Sequence, residues 1–409
     1  MTRALGTVHF TDAELPPRAD VVIVGAGLAG LFTGLFAVEA GLGRVVVLER
    51  RAAVASLTSA HSAEGFRLEW DAPENVGMVR ESVEVFDRFA EVVGLPGLDV
   101  GVRKQGYLFL SGATGPSYRP ALLRERVDRW HRMGLTDVEY LTGDEARRRF
   151  AFAGDAVEHA HFRAGDGFVD AAALARGLAT GGGFDTFVEA PAAAIETSGS
   201  RVSGVRTAGG RTVSTDTVVL AGGPFTRGLA EAAGAPLPVE SRRRHGLVLH
   251  LPAGLVDPSW PMVVDADLGL YWRPRPEGIF VGWERALPWD QVPSRPMDPV
   301  PADLTYLEQV RTHGRRLARF WRELRFDDAV WHTGQYVAAA PNDGRPVIGP
   351  HPALTGLHVN TAYEGRGVMA SPAGSRLLVR LLTGRVDAAT NPFRVFSGDR
   401  GNEPDRMVL

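Results

Sequence analysis

The sequence predicts a chain of mixed class, an α/β, Rossmann-type domain interleaved with an α+β domain built on an antiparallel sheet. Three observations predict it. The β-branched run Val21–Val24, a glycine-rich turn and an apolar stretch of helical spacing lead directly into a second apolar run, Val45–Leu48. Strand-like runs crowd the middle of the chain instead of alternating with helices. Glycine-rich turns occur near the start (GAGLAG), in the middle (VVLAGG) and near the end (EGRGV), with no Ser-, Gly- or Pro-rich linker between them. One domain therefore draws on separated stretches of chain.

In order, Val21–Val24 is continuous enough for a strand buried on both faces. Residues 28–40 carry apolar side chains at helical spacing and stop at Gly41, suited to a helix C-cap. Val45–Leu48 then closes a βαβ unit of about 30 residues. Val83, Phe86, Phe89, Ala90 and Val93 mark a helix over 78–93, ended by Gly94, and further helices are expected over 122–133 and 302–324 and from about Ser371. Strands are expected at 106–110, 202–206, 212–220, 247–251 and 278–283. The resulting partition assigns residues 1–85, 150–225 and 335–409 to the nucleotide-binding domain, and 86–149 and 226–334 to the second, substrate domain.

Composition narrows the chemistry. The chain has 409 residues, 44% hydrophobic and 23% charged, which suffices for two cored domains. It contains no cysteine, which removes disulfides, zinc–thiolate sites, iron–sulfur clusters and any cysteinyl flavin link. Lys104 is the sole lysine, so Schiff-base chemistry and a GK[ST] phosphate loop lack their reagent. With a net charge of −3 and only short basic runs at residues 147–149 and 242–244, no nucleic-acid partner is expected. The apolar stretch 21–40 is interrupted by Gly25, Gly27, Gly30 and Gly34, which argues against a membrane span. Residues 1–10 lack the apolar core of a secretory signal, and a cytoplasmic address is expected.

In GAGLAG, Gly25 permits the tight turn, Gly27 lets a pyrophosphate approach the backbone, and Gly30 packs helix on strand. The intervening Ala26, Leu28 and Ala29 bring the free N–H groups of a helix N-terminus to the same anion. Glu49 ends the second strand, where a carboxylate accepts from ribose hydroxyls and disfavours a 2′-phosphate. This fingerprint is common to FAD and NAD.

Four other segments decide between them: SLTSAHSAEGFR (56–67), VVLAGG (218–223), the pair DGFVDAAALARGLA and APAAAIETSGSRVSGV (166–179 and 190–205), and the block 340–374 containing PNDGRPVIG and GLHVNTAYEGRGVM. In this order they resemble the D-amino acid oxidase superfamily of flavoenzymes, particularly its sarcosine oxidase, glycine oxidase and D-amino acid dehydrogenase branch. The resemblance covers most of residues 20–385. It implies a D-amino acid oxidase-like fold and non-covalent FAD. It further implies that Gly365, Arg366, Gly367, Val368 and Met369 run along the flavin's pyrimidine edge as aimed donors. Ala192 matches the adenine position, Ala221 and Gly222 the pyrophosphate side, Arg50 the adenosine side, and Ser59 and Ala60 the segment under the flavin ring.

For the reaction, the resemblance implies oxidation of a C–N bond of an amine or amino acid, by hydride transfer to flavin N5 with an imine product. Arg67 matches a substrate-carboxylate arginine whose usual lysine partner is here Met369. Tyr271 and Tyr336 match aromatic positions facing the flavin, with His245 and Arg273 in reserve. His61 is read as tuning amine protonation. The position of an oxygen-activating lysine is Phe280, which favours a dehydrogenase or slow oxidase with oxygen or a partner protein as electron acceptor. Three alternatives stand beside this reading: oxidation of a secondary alcohol or 2-hydroxy acid with His61 as base, a flavin-carrying subunit of a heteromeric dehydrogenase, and a non-catalytic member of the fold.

Overall fold

A computed structural model describes residues 4–112, 119–251, 254–276, 278–283, 298, 305–323, 329–339 and 345–395, the strand 329–339 by its backbone alone. Val21–Val24 and Val45–Leu48 are wholly buried and pair in parallel, with the helix Leu28–Glu39 as their crossover. They centre a seven-stranded sheet whose order is Thr7–His9, Asp185–Phe187, Val45–Leu48, Val21–Val24, Val218–Leu220, Leu357–Thr361 and Val347–Pro350. All its pairings are parallel except the last. The sheet grows outward in both directions from Val21–Val24, so a crevice opens at the C-terminal ends of the central strands.

The second large sheet has eight strands, in the order Ala329–Ala339, Val239–His250, Gly278–Trp283, Leu270–Arg275, Met262–Asp265, Tyr107–Ser111, His159–Arg163 and Val138–Thr142. It is antiparallel except where Met262–Asp265 meets Tyr107–Ser111 in parallel. At that seam two chain-distant antiparallel groups join, and no short turn imposes an antiparallel course. On one side Phe152, Trp260, Trp272 and Phe320 pack together, with Phe152 and Trp260 ring centroids 4.6 Å apart.

Several local expectations are corrected. The run 212–220 is two strands: Thr212–Ser214 joins a small sheet with Ala192–Ser198 and Arg201–Thr207, while Val218–Leu220 enters the seven-stranded sheet. The helix expected over 302–324 covers Thr305–Gly314 among the described residues. There the chain folds back: the Leu317 carbonyl accepts from Gly154 N at 2.7 Å, and a Cβ on Gly314 would lie 2.6 Å from the Trp321 ring. The last long helix starts at Gly367, directly after a 3-10 turn over Glu364–Arg366. His159–Arg163, placed by sequence among the nucleotide-binding segments, pairs in the eight-stranded sheet, and so does the strand that straddles residue 335. Among the described residues no helix is long and apolar enough to cross a membrane.

Candidate active site

A cavity of about 620 Å³ occupies the crevice at the ends of Val21–Val24, Val45–Leu48 and Val218–Leu220. The glycines of GAGLAG differ in their surroundings. Gly25 has φ +109°, and a Cβ there would come within 2.6 Å of the Ala221 carbonyl oxygen. Gly30 packs so closely that a Cβ would lie 1.9 Å from the Gly25 carbonyl oxygen. At Gly27 a Cβ would meet only Ser59 Oγ, at 3.8 Å, so the backbone there opens onto the cavity with room for a close approach. Gly27 is also the N-cap of the helix Leu28–Glu39, whose first N–H groups point toward this space.

Glu49 lines the same cavity, and its Oε2 accepts from Ala26 N and its Oε1 from Arg51 N, both at 2.9 Å. Burial raises its carboxyl pKa, with the backbone hydrogen bonds from Arg51 and Ala26 acting against that. Arg50 lies 3.8 Å over the Phe225 ring, and both Arg50 and Arg51 pair with Asp298. Of the residues expected to hold the cofactor, Gly25, Gly27, Leu28, Ala29, Glu49, Arg50, Ser59, Ala192, Ala221, Gly222 and Gly367 line this cavity. Ala26 and Gly30 support its floor, and Ala60 is exposed outside it. The glycine cradle, the helix N-terminus and the buried acid fit a dinucleotide, within the usual volume of cofactor cavities.

Gly365, Val368 and Met369 turn instead toward a second, smaller cavity of about 50 Å³. Ser62, Glu64, Tyr107, Arg242, Arg244 and Tyr271 also line it. Glu364 borders both cavities, so the two adjoin at this residue. Arg366 is buried with its guanidinium 5.0 Å from the Trp70 ring, and appears in neither lining. Three non-glycine residues at this junction hold left-handed backbone, Glu64 (φ +58°), Ala362 (φ +63°) and Glu364 (φ +50°), a strain that folded structures retain mostly where function demands it. Below them, Tyr363 donates to Asn360 Oδ1, and Asn360 Nδ2 donates to Thr33 Oγ1 and Ser375 Oγ, both at 2.9 Å. This buried knot ties two helices and a strand beneath the junction.

Tyr271 lines the smaller cavity. Arg67 does not. It is fully buried, its Nη1 donates to the Glu69 carbonyl oxygen at 2.5 Å, and its guanidinium stacks 3.7 Å over Trp70. It belongs to a charged layer beneath the cavity with Glu69, Asp166, Arg163 and His161. There burial and the neighbouring Glu69 push the Asp166 carboxyl well above its ordinary range, while burial and the nearby arginines push His161 well below its own. Tyr107 is the member of this layer that reaches the cavity, its hydroxyl pKa raised by burial.

Arg273 braces the loop before Arg67: its Nε donates to the Ala63 carbonyl oxygen at 2.6 Å and it pairs with Glu64, whose carboxyl burial raises despite that pairing. His61 sits on the loop between Ser59, in the larger cavity, and Ser62, in the smaller, and is in neither lining. The side chains of Tyr336 and His245 lie outside the described residues. Sequence reasoning missed Arg242 and Arg244 as site residues, although their i, i+2 spacing in the strand Val239–His250 places both on one face.

The FAD-dependent oxidoreductase family model (DAO) matches residues 20–381. The chain is 25% identical to FAD-dependent oxidoreductase domain-containing protein 1 of Bos taurus, over 96% of this chain and 88% of that protein. It is 31% identical to the glycine oxidase of Pseudomonas aeruginosa over 46% of this chain and 47% of the relative. Among solved structures, L-proline dehydrogenase from P. horikoshii superposes with a TM-score of 0.78 at 20% identity, covering 91% of this chain and 95% of that one. The chain belongs to the family of FAD-dependent oxidoreductases, and its cofactor is FAD.

Proposed function

We propose that this FAD-dependent oxidoreductase oxidises the C–N bond of a compact amine or amino acid, bound in the smaller cavity while FAD fills the larger. The observation that carries this reading is the junction at Glu364, where a backbone-built cradle meets a small cavity lined by charged and phenolic side chains. The named activities of the glycine oxidase and L-proline dehydrogenase relatives, both on small amino acids, support the same substrate class. When bound, FAD supplies a two-electron acceptor for the hydride of the amine-bearing carbon. The imine left behind takes up water and releases a carbonyl compound and an amine or ammonia.

The chain's own residues bind, orient and tune. Gly27 and the N-terminus of Leu28–Glu39 hold the pyrophosphate, Glu49 the ribose, and Ala192 the adenine side. Gly365, Val368 and Met369 form the wall between flavin and substrate, and Tyr107 and Tyr271 confine the substrate. The segments of the seven-stranded sheet carry the cofactor, and the eight-stranded sheet carries the substrate cavity. Phe280, buried against Gly246 and Tyr271, stands where the resemblance puts an oxygen-activating lysine, and its lack of an amine supports an artificial or partner electron acceptor over oxygen.

Product analysis tests the reading. The FAD-loaded protein, supplied with an artificial acceptor and small amino acids, should release one carbonyl product and one nitrogen product per two electrons. Turnover of 2-hydroxy acids alone, with no nitrogen released, would overturn it.

A further inference from the structure

Beneath the smaller cavity lie two carboxyls that the proposed reaction does not use. Glu69 and Asp166 are both wholly buried, and the Glu69 side chain hydrogen-bonds the Asp166 carboxyl. Leu68 N donates to Asp166 Oδ1 at 3.2 Å, and Arg163 pairs with that same oxygen. Asp166 Oδ2 and both Glu69 side-chain oxygens have no other donor among the described residues. Two ionised carboxylates repel each other and have no hydrogen to share, so the bond between them requires a proton. Asp166 Oδ2 is the oxygen left to carry it, since Leu68 and Arg163 occupy Oδ1. Burial and the neighbouring Glu69 raise the Asp166 carboxyl in the same sense.

The place of the pair in the fold gives this proton a mechanical consequence. Glu69 follows the short strand Gly65–Phe66, and Asp166 sits in the turn that leads into Gly167–Phe168, with which that strand pairs. The Asp166 carbonyl oxygen accepts from Gly106 N at 2.8 Å, next to Tyr107. Gly65 and Tyr107 both line the cavity, and they fit so closely that a Cβ on Gly65 would lie 1.9 Å from the Tyr107 hydroxyl oxygen. Asp166 thus ties together the two segments that place Gly65 and Tyr107 at the cavity. The charged and titratable groups around the pair are Arg67 from Glu69's own segment, Arg163 and His161 from His159–Arg163, Tyr107 from Tyr107–Ser111 and Arg273 from Leu270–Arg275. Arg163 is shared with Asp137, and burial keeps His161 neutral. With its proton the pair carries a single negative charge beside these arginines; without it, two negative charges face each other across a bond that no longer exists.

We propose that Glu69 and Asp166 share one proton as a clamp, two positioning residues that hold the segment 65–70 against the turn 164–166 and so fix the floor of the smaller cavity. Loss of that proton to alkaline solvent breaks the Asp166 O–H bond, leaves two carboxylates in contact and loosens the floor. The FAD cradle stays intact, because neither residue lines the larger cavity. That this floor lies under a substrate rests on the reading that the smaller cavity takes one; the clamp itself does not.

The experiment uses the FAD-loaded full chain without substrate. Infrared difference spectra of the parent against Asp166→Asn and against Glu69→Gln should show, at neutral pH, a protonated-carboxyl C=O band that the parent has and both variants lack. Glu69→Gln lacks it because the new amide donates to Asp166 and lets that carboxyl ionise. Hydrogen exchange then follows the peptide amides of residues 65–70 as pH rises. In the parent their protection, corrected for intrinsic rates, should fall by about tenfold or more across the range where the band disappears. Asp166→Asn, whose amide replaces the O–H donor at every pH, should keep its protection, and all three proteins should keep their FAD. A parent without the band, a band unchanged in both variants, or protection that does not fall in the parent or falls equally in Asp166→Asn would overturn the proposal. The parent spectrum and Glu69→Gln decide the matter even if Asp166→Asn fails to fold. If the clamp fails these tests while amines still reduce the flavin, C–N oxidation stands; if the band and its alkaline loss are found while no amine reduces the flavin, C–N oxidation falls and the clamp stands.

Discussion

In the larger cavity the ligand-facing groups are mostly main chain: the open space above Gly27, the N–H groups at the start of Leu28–Glu39, and the turns at Gly222 and Gly367. The smaller cavity is the reverse, with Tyr107, Tyr271, Glu64, Glu364, Arg242 and Arg244 converging from separate segments onto about 50 Å³. A backbone cradle is specified by a few local residues and tolerates little variation at them. A side-chain cavity is specified by tertiary folding, and its chemistry changes with single substitutions. The two should therefore fail in different ways.

The largest effect is expected beneath the smaller cavity. Arg67→Ala removes a buried guanidinium from a layer that holds Glu69 and Asp166, and should destabilise the fold by about 3–5 kcal/mol. Urea unfolding checks this. An unchanged midpoint, with only substrate affinity lost, would return Arg67 to the carboxylate site. In the cradle, Gly27→Val should lower FAD affinity by about 100-fold or more while leaving apo stability within about 0.5 kcal/mol, because a Cβ there meets only Ser59 Oγ at 3.8 Å. Gly30→Ala should instead cost apo stability by about 1–3 kcal/mol, since its Cβ collides with the Gly25 carbonyl. Fluorescence titration with FAD beside thermal unfolding separates the pair, and similar behaviour of the two variants would refute the division of roles.

Glu49→Gln is expected to weaken FAD by about tenfold, since a charged acceptor becomes neutral and one of its oxygens, each now bonded to a backbone N–H, becomes a donor. The smallest effect is on pH dependence. The Asp166 carboxyl is raised from its ordinary value of 3.8, so the folded state retains a proton that the unfolded chain releases. Its contribution to stability is complete below 3.8 and is lost as pH rises through the folded-state value. Asp166→Asn should therefore flatten the decline in stability above pH 3.8; parallel pH profiles of parent and variant would show that the buried layer does not hold that proton.

The same contrast explains what could be read in advance. The βαβ unit over residues 21–48 was legible because periodicity, glycine positions and the terminal acid all lie within one short window. The smaller cavity was not, because Arg242 and Arg244 look like a short basic run until the strand beneath them is known, and alternation then puts both on one face. Arg67 was expected at a substrate carboxylate for a related reason: the sequence does not show the stacking on Trp70 that holds its guanidinium under the cavity and outside its lining. The break after Gly314 depends on a contact with Trp321 and a bridge to Gly154, neither of which leaves a mark in helical spacing.

On the proposed function, an FAD cradle and an amine cavity share the junction at Glu364. Anaerobic titration of the FAD-loaded protein tests it most directly, with the oxidised flavin absorbance followed against small amino acids, simple amines and the matching 2-hydroxy acids. The predicted result is saturable bleaching by small amino acids and none by the hydroxy acids. Bleaching by the hydroxy acids alone, or by nothing in the panel, would contradict it.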